Sequence, residues 1–476
     1  MTLTRYVLPS NVLSRGGLEP ISVEGPLEEK QMNMRKPLVG FYGDDFTGSS
    51  ENLAQFHRNG LRTRLYLRVP EIEVLKTAAE TLDVVGFAGT ARALDPVAMR
   101  AEVEPAFNAL KALGCNFLQF KICSTFDSAP AIGNFGLAAE QFTDGGRAYD
   151  IAVLAATPDF GRYTAFGSHF ARFGNDVVRL DRHPSMSNHP RTPMKESDLK
   201  EHLASLCSLK FGNIFVPEIR DPRVLKARIA ELFATKIGAI FDGVENDDLQ
   251  LVVAELWAHS RQKPMFALAA QGLAQLLGKH LAAEMQTGDL QTVHTEVAPA
   301  SNLLVLSGSC AIQTGKQIDV ASQAGWATIK LDPSKLVDQR AIESIIDSVL
   351  PKVSEQLSSG RPTIVYTARG DAMARDSFED IPADQIGDTY ARLMVRVRKA
   401  TSVPRVVLAG GDSSSYTVRS SGAEALTIKV FDEVQHGHLC ELIGGDGGLD
   451  GLEILLKGGQ IGKDDYFLRV LSGTKH

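Results

Sequence analysis

The chain has 476 residues, 44% hydrophobic and 22% charged, with a formal net charge of −7. That length exceeds one ordinary core and predicts two domains of a globular protein. A net acidic chain lacks the basic face that a phosphate backbone requires, which excludes nucleic acid as the expected partner, and no run approaches the ~18 uncharged apolar residues of a membrane span.

Residues 1–35 carry Pro, Gly and charges, with no apolar run ahead of a small-residue cleavage site. They read as a flexible extension, not a secretory signal. The five cysteines, at 115, 123, 207, 310 and 440, are odd in number and have no zinc or redox spacing. Reduced thiols in a cytoplasmic protein are expected.

The first element is "LVGFYGDDFTGSSENLAQFHRNG", residues 38–60: an apolar strand, a turn, then an amphipathic helix. A turn needs one Asp or Gly. Asp44 and Asp45 put two like charges at the end of a core strand, so they are expected to face something. Arg92 then follows the apolar "DVVGFAGT". Lys121 follows "FLQF" and precedes Ser124 and Asp127 in "CSTFDS". Arg162 lies in "IAVLAATPDFGRYTAFGSHFARFG", residues 151–174, read as another strand, turn and helix. One such cation is usually a solvated surface charge. Each of these three, however, ends an apolar strand, where an anion would meet it, and Arg offers a bidentate fork for a carboxylate.

Residues 182–198 hold three prolines and no core pattern, and a long irregular segment inside a domain tends to be functional. His189 within it suits a donor to a ligand hydroxyl, or a bond to backbone. Asp242, in "AIFDGVENDDLQLVVAELW", ends a strand or caps a helix. Residues 286–300 lack apolar periodicity and read as a linker.

Beyond the linker, "NLLVL" runs into Ser307, Gly308, Ser309 and Cys310, and a helix follows. Such a turn offers backbone N–H groups, hydroxyls and a helix dipole to a phosphate; alone it is more often a plain cap. "RVVLA" runs into Gly410, Gly411, Asp412 and Ser413, where two glycines permit close backbone approach. Gly458 and Gly459 form a third such turn behind Lys457. Three in one domain point to phosphates. No Walker A loop and no strand-borne GxGxxG is present, and no His, Cys or Glu set has metal-ligand spacing, so no protein-held metal is expected. Continuous apolar strands alternating with helices predict an α/β protein of two domains, 36–285 and 301–476, each a mostly parallel sheet flanked by helices. Ligands of such sheets lie at the carboxyl ends of the strands.

Seven ordered motifs, "GDDFTGSSE", "FKICSTFDSAPAIGNFG", "GRYTAFG", "HPRTPM", "LSGSCAIQTGKQI", "AGGDSSS" and "LKGGQIGKDDYF", resemble those of the four-carbon acid sugar kinases over roughly residues 36–470. The resemblance implies an ATP-dependent kinase that phosphorylates the terminal 4-hydroxyl of an acid sugar in the cleft between a sugar domain and a nucleotide domain. It implies Asp44 and Asp45 as base and hydroxyl holder. Arg92, Lys121, Ser124, Asp127, Arg162, His189 and Asp242 would stand around the sugar. Ser307, Ser309, Gly410, Gly411, Asp412, Ser413, Gly458 and Gly459 would surround ATP, with Mg²⁺ arriving on the nucleotide. The expected partners are thus small molecules, with a homodimer as the assembly to test. "CSTFDS" is most similar to the branch acting on 3-oxo-tetronates; threonate or erythronate is the alternative. A sugar-acid-binding regulator without catalysis and a sugar-acid dehydrogenase are the rival classes.

Overall fold

Runs of apolar residues that are buried on both faces of a sheet pair in parallel. In the computed structural model the strands Val39–Gly43, Val84–Ala88, Phe117–Lys121, Asp150–Leu154, Gly238–Phe241 and Met265–Ala269 are buried along their whole length. The structure describes residues 36–189, 191–336, 339–370, 383–431, 438–445 and 447–473; the extension expected over 1–35 lies outside them.

From its amino-terminal edge the main sheet runs Phe211–Ile214, Gly238–Phe241, Asp150–Leu154, Met265–Ala269, Phe117–Lys121, Val39–Gly43, Val84–Ala88 and Thr63–Tyr66, all parallel. A second parallel block comprises Glu453–Lys457, Arg405–Ala409, Leu304–Ser307, Thr363–Tyr366 and Ala327–Lys330. The blocks are not separate sheets. Ala425–Val430 pairs antiparallel with Thr63–Tyr66, and Leu439–Ile443 pairs antiparallel with both Ala425–Val430 and Glu453–Lys457. Among the described residues these three reversals join the two blocks into one fifteen-stranded sheet, and the blocks run in opposite senses. The join is fixed by the register Ala425 to Tyr66 and Leu426 to Leu65, and the Thr427 hydroxyl donates to the Thr63 carbonyl at 2.9 Å.

One expected helix is absent. Residues 162–179 form a three-stranded antiparallel sheet, Arg162–Ala165, Ser168–Phe173 and Asp176–Arg179. The segment carries three Phe and two Val beside Tyr163 and Thr164, residues that favour a pleated surface. Phe166 and Gly167, at φ 51° and 78°, make the two-residue turn with both φ positive that closes a tight hairpin. Among the described residues no helix is long and apolar enough to cross a membrane, and the five cysteines form no disulfide.

Candidate active site

Strand Val39–Gly43 delivers Asp44 and Asp45 to the start of helix Phe46–His57. Asp45 is the cap of that helix and accepts from the Gly48 N–H at 2.7 Å. A Cβ on Gly48 would stand 2.3 Å from Asp45 Oδ1 and 2.9 Å from Lys121 Nζ, so a side chain there would have to displace both groups.

What the two carboxylates face is one guanidinium. Arg92 Nε and Nη2 donate to Asp44 Oδ2 and Oδ1 at 3.1 and 2.7 Å, while Nη1 donates to Asp45 Oδ2 at 2.7 Å. The Asp44 side chain is 6% exposed and that of Asp45 33%. Burial pushes the Asp44 carboxyl up, against the opposing pull of Arg92.

The neighbouring strand ends carry the rest. Lys121 is buried, and its ammonium donates to the Ile122 carbonyl at 2.7 Å. Asp127 accepts from the Thr125 hydroxyl at 2.5 Å and the Thr192 hydroxyl at 2.7 Å. Burial would raise its carboxyl; those hydrogen bonds and the Arg92 charge hold it below the usual range. Thr192 also donates its N–H to His189 Nδ1 at 3.1 Å, which fastens the proline-rich segment to Asp127.

Two predicted residues serve backbone more than cavity. Asp242 accepts from the N–H groups of Phe166, Gly167 and Val216 at 2.7, 3.0 and 3.1 Å and lines neither of the two cavities described below. Arg162 donates to the Phe160 carbonyl at 2.9 Å; its Nε is buried without a partner, and burial lowers its basicity.

Two cavities meet at Asp45, Thr47 and Arg92. The larger, about 720 Å³, extends past Lys121 and Ser124 to His438, Leu456 and Ile461 beyond the linker. The smaller, about 570 Å³, reaches Asp44, His189, Arg191 and Thr192 on one side and Ser415 and Arg419 on the other. Sequence reasoning missed Glu51 and His438, whose Oε2 and Nε2 meet at 2.8 Å across the larger cavity's two walls. Glu51 was in plain view inside "GDDFTGSSE", read only as a helix position. It also missed His169, fully buried, which bonds the Ser124 carbonyl through Nε2 and the Thr164 hydroxyl through Nδ1, both at 2.9 Å. A carbonyl only accepts, so Nε2 carries the proton; burial lowers this imidazole to about 4 and keeps it neutral.

The three glycine turns beyond residue 300 converge. A Cβ on Gly308 or on Gly410 would come 2.5 or 2.6 Å from Ser413 Oγ, and one on Gly459 would come 2.7 Å from Ser309 Oγ. Gly410 has φ +126° and caps helix Gly411–Ser420, whose first N–H groups point out of the helix. Gly458 adjoins Gly459 behind Lys457. Ser307 is turned inward: its carbonyl accepts from the Tyr390 hydroxyl at 2.7 Å and its own hydroxyl is buried. The Asp412 side chain lies outside the described residues.

Residues 39–277 match the model of a sugar-binding N-terminal domain and residues 304–467 that of a nucleotide-binding C-terminal domain. A 3-oxo-isoapionate kinase of Paraburkholderia graminis is 33% identical over 92% of this chain and 94% of its own. The chain belongs to the four-carbon acid sugar kinase family. A further member, the 3-oxo-tetronate kinase of Pseudomonas fluorescens, is 28% identical over 92% of this chain and 97% of its own. Crystal structures from Salmonella typhimurium LT2 and Haemophilus influenzae share the fold of this family member, with TM-scores of 0.75 and 0.69 at 22% and 23% identity. They cover 91% and 90% of this chain and 98% of each of their own.

Proposed function

We propose that the protein is an ATP-dependent kinase that phosphorylates the terminal hydroxyl of a 3-oxo sugar acid, of tetronate or isoapionate type. Both similar kinases act on 3-oxo acids by name, at 33% and 28% identity. The observation that carries the reading is the position of Asp45. It lines both cavities, and each cavity has walls from both the sugar-binding and the nucleotide-binding segments.

In this mechanism the substrate hydroxyl oxygen bonds the γ-phosphorus of ATP, the bond to the β-phosphate oxygen breaks, and ADP leaves. Asp45 takes the hydroxyl proton. Asp44 fixes Arg92, whose remaining N–H groups, with Lys121 and Ser124, hold the acid. Asp127 acts through Thr192 on the His189 segment. The first turn of helix Gly411–Ser420 receives the phosphates. Mg²⁺ would come with the nucleotide, held largely by phosphate oxygens and water.

ADP release measured across 3-oxo-tetronates, 3-oxo-isoapionate, threonate and erythronate tests the reading. A 3-oxo acid should give kcat/KM at least about tenfold above the reduced acids, a preference of about 1.4 kcal/mol. Turnover of the reduced acids alone would move the substrate assignment to threonate or erythronate. A tightly bound acid without ADP release would make the protein a regulator, and a thermal shift with NAD but not ATP would make it a dehydrogenase.

A further inference from the structure

Strand Glu453–Lys457 ends in a lysine that is 2% exposed. Among the described residues no carboxylate pairs with it. Its ammonium donates to Thr314 Oγ1 at 3.0 Å and to the carbonyls of Gly458 and Gly459 at 3.1 and 3.4 Å, and it lies 5.8 Å from the Tyr466 ring centroid. The buried Thr314 hydroxyl in turn donates to the Gly459 carbonyl at 2.7 Å. A buried cation without an anion costs desolvation energy that an apolar side chain would avoid. Burial indeed lowers this amine to about 8. A position that only had to end a strand has no need of such a group.

The hydrogen bonds show what the group does. All peptide bonds among the described residues are trans, so the C=O and N–H of one peptide point in opposite directions. Drawing the Gly458 and Gly459 carbonyls onto Lys457 turns the N–H groups of Gly459 and Gln460 away from it. Neither N–H has an acceptor among the described residues. Beside them stand Ser309 and, through Ser413, the first turn of helix Gly411–Ser420.

We propose that Lys457 is a positioning residue for the nucleotide. By holding the Gly458 and Gly459 carbonyls inward, with Thr314 as its second hand, it presents the Gly459 and Gln460 N–H groups to the phosphate chain. The inference rests on the kinase reading and adds to it the device that shapes the third glycine turn.

The test uses the full chain and isothermal calorimetry with ADP and with adenosine, on the unaltered protein and on Lys457→Met, Thr314→Val and Thr314→Ser. Lys457→Met and Thr314→Val should weaken ADP at least tenfold, leave adenosine within twofold, and leave the KM of the sugar acid unchanged. Thr314→Ser, which keeps the hydroxyl, should restore ADP affinity to within threefold, which general damage to the fold would not allow. ADP affinity within twofold of the unaltered protein in folded variants overturns the proposal, as does an equal loss of adenosine. If Lys457→Met does not fold, the Thr314 pair decides alone. An unaltered protein that binds no ADP refutes the kinase reading itself, which is a separate result.

Discussion

A guanidinium that bonds two carboxylates need not treat them alike. Asp44 gives both oxygens to Arg92 and is almost closed off, whereas Asp45 gives one oxygen to Arg92, one to the Gly48 N–H, and opens onto both cavities. The isosteric change to Asn separates the roles. Asp45→Asn keeps the acceptor that caps the helix but cannot take a proton, so kcat should fall about 10²-fold; its amide loses the part-exposed pair with Arg92, at a cost of about 1 kcal/mol or less. Asp44→Asn loosens the fork that orients Arg92 and should raise the KM of the sugar acid at least about tenfold, about 1.4 kcal/mol, with less effect on kcat. The loose transition state of phosphoryl transfer limits how much any base contributes, so kcat and sugar-acid binding are measured together. Wild-type turnover in folded Asp45→Asn would remove it as the base; a kcat loss confined to Asp44→Asn would exchange the two assignments.

At the scale of the element, Gly411 separates binding from folding. It opens helix Gly411–Ser420, and a Cβ there meets nothing within 4 Å. Gly411→Val therefore fits the fold, since glycine is the poorer helix former and valine adds no propensity cost, yet it fills the space before the first N–H groups. The KM for ATP should rise at least about tenfold, about 1.4 kcal/mol, with the sugar-acid KM unchanged; an unchanged ATP KM would take this turn out of the site. The turn was readable because a glycine pair directly after a run of four apolar residues is a local signal, as were the strand and helix of 38–60. The segment 162–179 was not, since its apolar residues suit either period and its outcome hung on the positive φ of Phe166 and Gly167. Nor could any local pattern encode the Thr63–Thr427 bond, 364 residues apart, that makes two sheets one. The Glu51–His438 pair, 387 residues apart, stayed hidden for the same reason, and His169 did too, since its Thr164 partner is near only across the hairpin and Ser124 lies 45 residues away. Asp242 was legible as a strand-end carboxylate, but whether such a group meets ligand or backbone is decided by a hairpin that the sequence reading lacked.

For the whole molecule, the continuous sheet links the two halves during unfolding, and pH exposes that link. His57, His169 and His202 all belong to the sugar-binding segment, and burial, the leading cause in each, lowers every one of them to about 4. In the unfolded chain a histidine titrates near 6.5. Between about 4 and 6.5 the unfolded state therefore binds more protons, so stability is complete above pH 6.5 and drains away as the pH falls through that window. Asp44 and Asp242, both pushed up by burial, carry the opposite sign, but the three imidazoles, each lowered to about 4, set the direction of the change across this window. From pH 7 to pH 5.5 each histidine should remove about 1.2 kcal/mol, and His169→Gln, which keeps a donor for the Ser124 carbonyl, should reduce the total loss by about that much. The two tryptophans make the linkage visible. Trp257 lies in helix Asn246–Ser260 of the sugar-binding segment, and Trp326 precedes strand Ala327–Lys330 of the nucleotide-binding one. In Trp257→Phe and Trp326→Phe variants, each with one remaining reporter, urea midpoints should fall together on acidification, although the three histidines lie in one half only. A Trp326 signal that holds its midpoint while that of Trp257 drops would mean that the strand pair Thr63–Tyr66 and Ala425–Val430 parts before either half melts.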